Sequence, residues 1–95
     1  MQIAWTRQAD QDVDQIFDYL KQFDSKTATE TMVIIKSSVI HLKSFPEIGR
    51  NGRVDMTREF PIPRIPYTIV YRIVANVIEI ISILHQSRQW PEDFG

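Results

Sequence analysis

The 95-residue sequence predicts an α+β fold, in which an N-terminal antiparallel helix hairpin packs on a small, mostly antiparallel sheet of three or four strands. Apolar residues recur at helical spacing in the first half of the chain and alternate at strand spacing in the second half. Two strand-like segments near the C-terminus are separated by only two residues, as in a β-hairpin. Helices followed by a run of strands are typical of α+β domains.

A short mixed segment, 2–5, can add one strand, and the first helix follows it directly. We expect this helix to run from about 7 to 22 with Thr6 as its N-cap, because a threonine hydroxyl can accept from a free amide of the first turn. Its apolar stripe consists of Ala9, Val13, Ile16, Phe17 and Leu20. The opposite face, with Asp10, Asp12 and Asp14, is expected to be solvated.

The second helix is expected to begin after Asp24 or Ser25 and to end near Ser44. It should end there because Pro46 disfavours the helical conformation at the preceding residue and has no N–H to donate. Its main apolar stripe consists of Ala28, Met32, Ile35, Val39 and Leu42. This stripe is widened by Val33, Ile34 and Ile40, which predicts burial on more than one side. The short link between the helices predicts an antiparallel hairpin.

The segment 47–52 is predicted to be a turn region, after which the periodicity changes. From Val54 to Phe60, apolar or long residues alternate with Asp55, Thr57 and Glu59, which predicts a strand with one wet face. Three prolines then end the ladder and hold an extended connection: Pro61, Pro63 and Pro66.

Segments 67–74 and 77–84 are rich in β-branched and aromatic residues and predict the two strands of an antiparallel hairpin. In the first of them, the side chains expected to face the helices are Tyr67, Ile69, Tyr71 and Ile73. The side chains expected on the other, partly free face are Thr68, Val70, Arg72 and Val74. Arg72 would therefore be available to a carboxylate or phosphate, unless it pairs with Glu79 or Glu59.

Length and composition predict one domain, 1–95, in the cytoplasm. There is no cysteine, no signal-peptide pattern and no run of roughly 18 apolar residues that would span a membrane. A net charge of -1 and a pI near 6.1 argue against a general nucleic-acid binder. Acids are concentrated in 1–24 and arginines in 50–90, so a local basic surface is expected on a nearly neutral domain.

His85 follows the most apolar strand, with Arg88 three residues further on and Trp90 beyond it. Because side chains at a strand end can line a cleft, this group can offer a general acid or base beside a phosphate-binding guanidinium. The structural alternative is that His85 caps the strand end while Arg88 and Trp90 pack the C-terminal tail. Arg58, Arg64 and Arg72 are the other basic candidates.

Metal and cofactor sites are not expected. His41 lies in a helix, 44 positions before His85, so metal-ligand spacing is absent. The alternating aspartates of the first helix lack the glycine and the closing glutamate of a calcium loop. The chain contains no glycine-rich phosphate loop.

Five short motifs follow one another along nearly the whole chain: A-x-x-D-(L/V)-x-x-I-x-x-Y from Ala9 to Tyr19, L-x-x-(F/H)-P-x-x-G-R from Leu42 to Arg50, R-E at Arg58 and Glu59, Y-x-I-x-Y-R from Tyr67 to Arg72, and H-x-x-R from His85 to Arg88. In this order and spacing they resemble the ParE/RelE family of bacterial toxins, found in type II toxin–antitoxin and plasmid stabilisation systems. The resemblance implies a small antitoxin partner whose C-terminal segment wraps the grooves of the toxin. A hetero-oligomer with the antitoxin or a homodimer is compatible with it.

Within that family, RelE-like members cut mRNA on the ribosome, whereas ParE-like members poison DNA gyrase and lack the nuclease residues. Thr68 stands where the RNA-cleaving members usually have an arginine, and a threonine hydroxyl bears no positive charge. No late tyrosine follows His85, only Trp90 and Phe94. These departures favour a ParE-like protein, which is expected to inhibit gyrase and not to be an enzyme.

Three hypotheses follow. The first is a ParE-like toxin that inhibits DNA gyrase and is neutralised by a cognate antitoxin. The second is a RelE-like, ribosome-dependent mRNA endonuclease in which His85 transfers protons while Arg72, Arg88 and Arg64 hold phosphate. The third is a non-toxic module that binds an antitoxin-like peptide. The candidate residues for antitoxin or target binding are Arg58, Arg64, Arg72, His85, Arg88 and Trp90.

Overall fold

The computed structural model describes residues 1–87, in which two helices pack on a five-stranded sheet. The elements are β1 (Gln2–Trp5), α1 (Arg7–Lys21), α2 (Ser25–Ser44), β2 (Arg50–Asn51), β3 (Arg58–Pro61), β4 (Tyr67–Val74) and β5 (Val77–His85). The strand order is β1-β5-β4-β3-β2, and β1 pairs with β5 in parallel while the other pairs are antiparallel. The predicted α+β class is confirmed. Neither helix among residues 1–87 has the length and apolar content needed to cross a membrane.

Both helices begin at the residues that their capping chemistry predicts. The Thr6 hydroxyl accepts from the Ala9 amide at 3.1 Å and lies 2.8 Å from the carbonyl oxygen of Ile80, so the cap also attaches α1 to β5. The Asp24 carboxylate accepts from the Thr27 hydroxyl at 2.6 Å and from the Lys26 amide at 3.1 Å. These hydrogen bonds, first that of Thr27, hold the pKa of Asp24 below its ordinary value of 3.8.

One apolar core lies between the helix pair and the sheet. Its members with no exposed surface include Ala9, Ile35, Leu42, Ile69, Tyr71, Ile78 and Ile80. The expectation that α2 is buried on more than one side is wrong, since Val33 is 59% exposed and Ile40 is 61% exposed. In this two-layer arrangement the sheet and α1 cover only part of the surface of α2.

The segment before β3 differs from its predicted structure. Arg50 and Asn51, predicted as turn, form the edge strand β2, and they pair with Glu59 and Arg58. The strand predicted from Val54 begins only at Arg58, because residues 54–57 form a turn in which the Thr57 amide donates to the Val54 carbonyl at 3.2 Å. Met56, with φ of 70°, takes a left-handed conformation that a strand excludes.

The sheet face away from the helices is covered along most of β4. Tyr67, Ile69 and Tyr71 face the core as predicted, but Val70 is also fully buried and Thr68 is only 8% exposed. The partly free face predicted for this strand is therefore limited to its hairpin end, where Arg72 and Val74 are exposed. A β-bulge contributes to this irregular pattern of burial along the strand. Val70 pairs with Ser82 and Tyr71 with Ile80, which leaves Ile81 as the extra residue of β5.

Candidate functional site

A cleft of about 220 Å³ opens where β3, β4 and β5 meet the segment that follows β2. We call it the cationic cleft. Its lining residues are Arg50, Arg53, Glu59, Pro61, Thr68, Leu84, His85 and Gln86. It brings together two guanidinium groups, one carboxylate and one imidazole, which are groups that can bind an anion or transfer a proton.

Glu59 organises the charges of the cleft from a buried position. Its side chain is 3% exposed, and its carboxylate lies 3.4 Å from an Arg50 guanidinium nitrogen and 3.8 Å from Nε of Arg53. The same carboxylate accepts from the Arg53 backbone amide at 3.0 Å. The wet face predicted for residues 55–59 is therefore wrong at Glu59, because the segment 50–53 folds over this carboxylate. It is also wrong at Thr57, which is 8% exposed. A buried carboxylate needs such partners to offset its lost hydration.

His85 lies at the end of β5, opposite Tyr67 of β4. The two rings are in edge-to-face contact, with centroids 5.3 Å apart. Nδ1 of the imidazole accepts from the Ser87 amide at 3.2 Å and lies 2.7 Å from the Ser87 hydroxyl oxygen. Since the backbone amide can only donate, the neutral ring carries its hydrogen on Nε2.

Thr68 lines the same cleft, in register with Leu84 of β5 and Pro61 of β3. It is the position at which the resemblance predicts an arginine in RNA-cleaving toxins. The hydroxyl of Thr68 can donate or accept a hydrogen bond, but it adds no charge beside His85.

Arg72 is not part of the cationic cleft. It lies near the β4–β5 turn, five positions along β4 from Tyr67, which is about 17 Å in a strand. Its Nε donates to the Glu79 carboxylate at 2.6 Å on the paired strand, so the predicted alternative, an intramolecular ion pair, is confirmed. The predicted grouping of Arg72 with His85 around one phosphate is therefore wrong.

The other predicted residues are dispersed. Arg58 donates to the carbonyl oxygens of Glu47 and Gly49 at 3.1 and 2.9 Å, which anchors the turn before β2. Arg64 is exposed in the β3–β4 loop and has a φ of 75°. Arg88 and Trp90 lie outside the described residues.

Of the predicted site residues in 1–87, the cleft thus contains His85 alone. The sequence interpretation missed Arg50, Arg53 and Glu59 as site residues. A signal for two of them was present, since Arg50 and Glu59 belong to the quoted G-R and R-E motifs. Within residues 1–87, no three His, Cys, Asp or Glu side chains are grouped so that they could hold a metal ion.

Comparison with known proteins identifies the family. The profile described as "ParE toxin of type II toxin-antitoxin system, parDE" matches residues 3–90. The chain belongs to the ParE toxin family. It is 38% identical over 90 residues to the toxin candidate Y4kP of Sinorhizobium fredii, covering 95% of this chain and 93% of the relative. It is 30% identical over 87 residues to toxin RelE2 of Caulobacter vibrioides, covering 92% of this chain and 97% of the relative.

A solved structure shows the same fold. One chain of the chromosomal ParDE toxin–antitoxin system from P. aeruginosa superposes with a TM-score of 0.81 at 27% identity, covering 90% of this chain and 95% of that chain. The ParE-family motifs noted above can therefore be interpreted on this scaffold.

Two of those ParE-family motifs meet at Tyr71. Its hydroxyl donates to the Pro46 carbonyl at 2.8 Å and accepts from the Gly49 amide at 2.9 Å. A Cβ at Gly49 would lie 2.7 Å from the same hydroxyl oxygen, which is why this position requires glycine. Burial raises the pKa of Tyr71 above its ordinary value of 10.0.

The aspartate of the first ParE-family motif is also structural. Asp12, expected on a solvated face, is only 8% exposed. Its carboxylate accepts from the Ser82 hydroxyl, from the Ile83 amide at 3.0 Å and from the Gln8 side-chain amide at 2.8 Å. It therefore satisfies a backbone donor of β5 beyond the last residue that pairs with β1.

Proposed function

We propose that this ParE-family toxin inhibits DNA gyrase in the cytoplasm by binding it, without breaking a bond of its own, and that a cognate antitoxin neutralises it. The observation that carries this proposal is the chemistry of the cationic cleft, in which Thr68 occupies the place of an expected arginine. A cleft that has a threonine in place of this arginine favours action by binding over action by cleavage.

Cleavage of RNA through its 2′-hydroxyl needs a base, an acid and cations around the scissile phosphate. In the part of the cleft formed by residues 1–87, His85 is the one imidazole, and the Glu59 carboxylate cancels the charge of one of the two guanidiniums. Arg72 is bound to Glu79 at the other end of the hairpin. These distances and pairings leave few groups to stabilise a phosphorane-like transition state.

The antitoxin part of the proposal rests on the family and on exposed apolar surface. Toxins of this family are described as members of type II toxin–antitoxin systems, and the P. aeruginosa relative is named as part of a ParDE toxin–antitoxin system. Tyr19 and Phe23 of this chain are 59% and 73% exposed and contact each other edge to face at 5.3 Å. Exposed aromatic side chains of this kind are typical of protein-binding surfaces.

The test is to induce the protein in bacteria, with and without a cognate antitoxin, and to measure growth, gyrase–DNA cleavage complexes and the integrity of translated mRNA. We expect growth arrest, cleavage complexes and intact mRNA, and we expect co-expression of the antitoxin to restore growth. Purified protein should inhibit supercoiling of a relaxed plasmid by gyrase in vitro.

The competing outcomes are distinct. Fragmented mRNA with unaffected supercoiling would overturn the gyrase proposal in favour of the ribosome-dependent endonuclease. The absence of any growth defect without the antitoxin would favour the non-toxic peptide-binding module. A Thr68→Val variant is a control for the Thr68 hydroxyl, because it removes this group at nearly constant volume. The variant should inhibit gyrase as the parent protein does.

A further inference from the structure

A second groove, of about 710 Å³, lies between the helix pair and the edge strand β1. We call it the hairpin groove. Its lining residues are Ile3, Trp5, Asp10, Val13, Asp14, Lys36, Val39 and Ile40. None of them lines the cationic cleft. One wall is the first half of α1, the other wall is the second half of α2, and β1 supplies the remaining two residues.

The groove is apolar, and part of its apolar surface is exposed to solvent. Five of its eight lining residues are apolar: Ile3, Trp5, Val13, Val39 and Ile40. Ile40 is 61% exposed, although the Val39 side chain beside it is almost fully buried. Apolar side chains clustered in a concave surface are typical of sites that bind another protein.

The charges of the groove differ between its two walls. Asp10 and Asp14 lie one turn apart on the α1 wall, and both are exposed. Neither side chain forms an ion pair or hydrogen bond with any other side chain of residues 1–87, and the same is true of Lys36 on the α2 wall. The α1 wall therefore presents two carboxylates that no described side chain neutralises.

We propose that the hairpin groove binds a basic amphipathic helix of a partner protein. Such a helix would lie along the α1–α2 pair as a third member, with its apolar stripe on Trp5, Val13 and Ile40. Two lysines or arginines one turn apart on one flank would face Asp10 and Asp14, and an acidic residue on the other flank would face Lys36. The proposal does not depend on whether gyrase or the ribosome is the target of the toxin.

The two features of the groove can be tested separately with matched controls. Asp10→Asn with Asp14→Asn removes the carboxylates, and Asp18→Asn is the control, since Asp18 lies on the same helix outside the groove. Ile40→Ser removes the exposed apolar side chain, and Val33→Ser is the control, since Val33 is equally exposed on α2 but outside the groove. Thermal unfolding of each variant establishes that it is folded.

The probes are a small set of synthetic amphipathic peptides of about 15 residues, near the minimum length for an isolated helix. Each has leucines at helical spacing and two arginines one turn apart on one flank, and a matched peptide has glutamates there. Binding is followed by the fluorescence of Trp5 in a Trp90→Phe background, and helix formation by circular dichroism.

We expect the basic peptides to bind as helices and shift Trp5 emission to the blue, with affinity that falls as salt is added. The double aspartate variant should bind about fivefold more weakly and lose most of the salt dependence. Ile40→Ser should bind about tenfold more weakly, and both controls should bind like the parent protein.

The proposal is overturned if no basic peptide binds, if the acidic peptide binds equally, if the controls weaken binding as much, or if the bound peptide is not helical. None of these readouts involves gyrase or toxicity, so this result and that of the gyrase assay are independent.

Discussion

Tyr71 shows how one side chain in the middle of the sheet fixes a distant turn. Its ring is fully buried in the core, while its hydroxyl contacts the backbone of Pro46 and Gly49, just after α2 ends. One residue thus joins β4 to the connection that leads to the arginines of the cationic cleft. The tyrosine of the Y-R motif and the glycine of the G-R motif are thus joined by a hydrogen bond in this chain.

Replacing Tyr71 with phenylalanine should destabilise the fold by about 1–3 kcal/mol, because the Gly49 amide and the Pro46 carbonyl lose their partner in a buried place. Urea unfolding of the variant and the parent protein measures this difference. Tyr19→Phe is the matched control, since that ring is 59% exposed and its change should fall within about 0.5 kcal/mol. Equal effects of the two substitutions would contradict the role assigned to Tyr71.

The same pair of proteins tests the pKa of Tyr71. Because burial raises its pKa in the folded state above 10.0, the folded state favours the neutral phenol. This contribution to stability is complete below about pH 10 and is lost as pH rises through the higher folded-state value. The stability advantage of the parent protein over Tyr71→Phe should therefore shrink above about pH 10. A constant difference through that range would be inconsistent with a raised pKa.

Asp12 is the equivalent link between elements, because it joins α1 to β5. β1 pairs with β5 only as far as Ile80, so no strand formed by residues 1–87 lies beside the edge of β5 beyond that residue. The Asp12 carboxylate accepts a hydrogen bond from the Ile83 amide of that edge. The Thr6 hydroxyl donates to the Ile81 carbonyl oxygen. The N-terminal half of α1 thus supplies some of the hydrogen bonds that a neighbouring strand would make at this edge.

Asp12→Asn should destabilise the protein by about 1–3 kcal/mol, since an amide group cannot accept all three of the hydrogen bonds that the carboxylate accepts. Asp14→Asn removes the same charge from an exposed site on α1 and should change the free energy of unfolding by less than about 0.5 kcal/mol. Chemical denaturation gives both values. If the two variants unfold alike, Asp12 contributes only its charge.

Sequence periodicity predicted the elements well where local chemistry decides them. Thr6 and Asp24 cap helices through contacts with residues two or three positions away, and Pro46 lies just beyond α2, so these boundaries can be read locally. The turn 54–57 was missed because its alternation of polar and apolar residues imitates a strand. Glu59 and Asp12 were assigned to wet faces because periodicity does not reveal their partners. The partners of Glu59 lie six and nine positions away, where the chain folds back on β3, and Ser82 lies 70 positions from Asp12.

On the scale of the whole molecule, the charges separate into two surfaces. The cationic cleft contains Arg50 and Arg53 around a buried carboxylate, whereas the hairpin groove has two exposed aspartates. The sequence predicted this segregation of acids and arginines but not which arginines would share a cleft. Arg72 ends one of the sequence motifs and His85 begins the next one. Strand pairing nevertheless places the two residues at opposite ends of one hairpin.

His85→Gln should separate the binding and cleavage mechanisms. If the toxin acts by binding, the variant should inhibit gyrase to within about fivefold of the parent protein, because most interface residues contribute less than about 1 kcal/mol. If it were a nuclease, loss of the general acid or base should lower mRNA cleavage by about 10²–10⁴-fold. His41→Gln is the control at the other histidine, which is exposed on α2. Supercoiling assays and mRNA blots of both variants give the comparison.

The parallel pairing of β1 with β5 also sets the order in which this protein can mature. Gln2 pairs with Val77 and Trp5 with Ile80, so β1 leaves the ribosome well before β5, its neighbour in the sheet, has been made. The helix hairpin can form early from local contacts, but the sheet edge that closes over it requires β5. A chain folded in this way cannot complete its sheet before β5 has been made, and a nascent chain interrupted before β5 lacks the strand on which β1, Thr6 and Asp12 all depend.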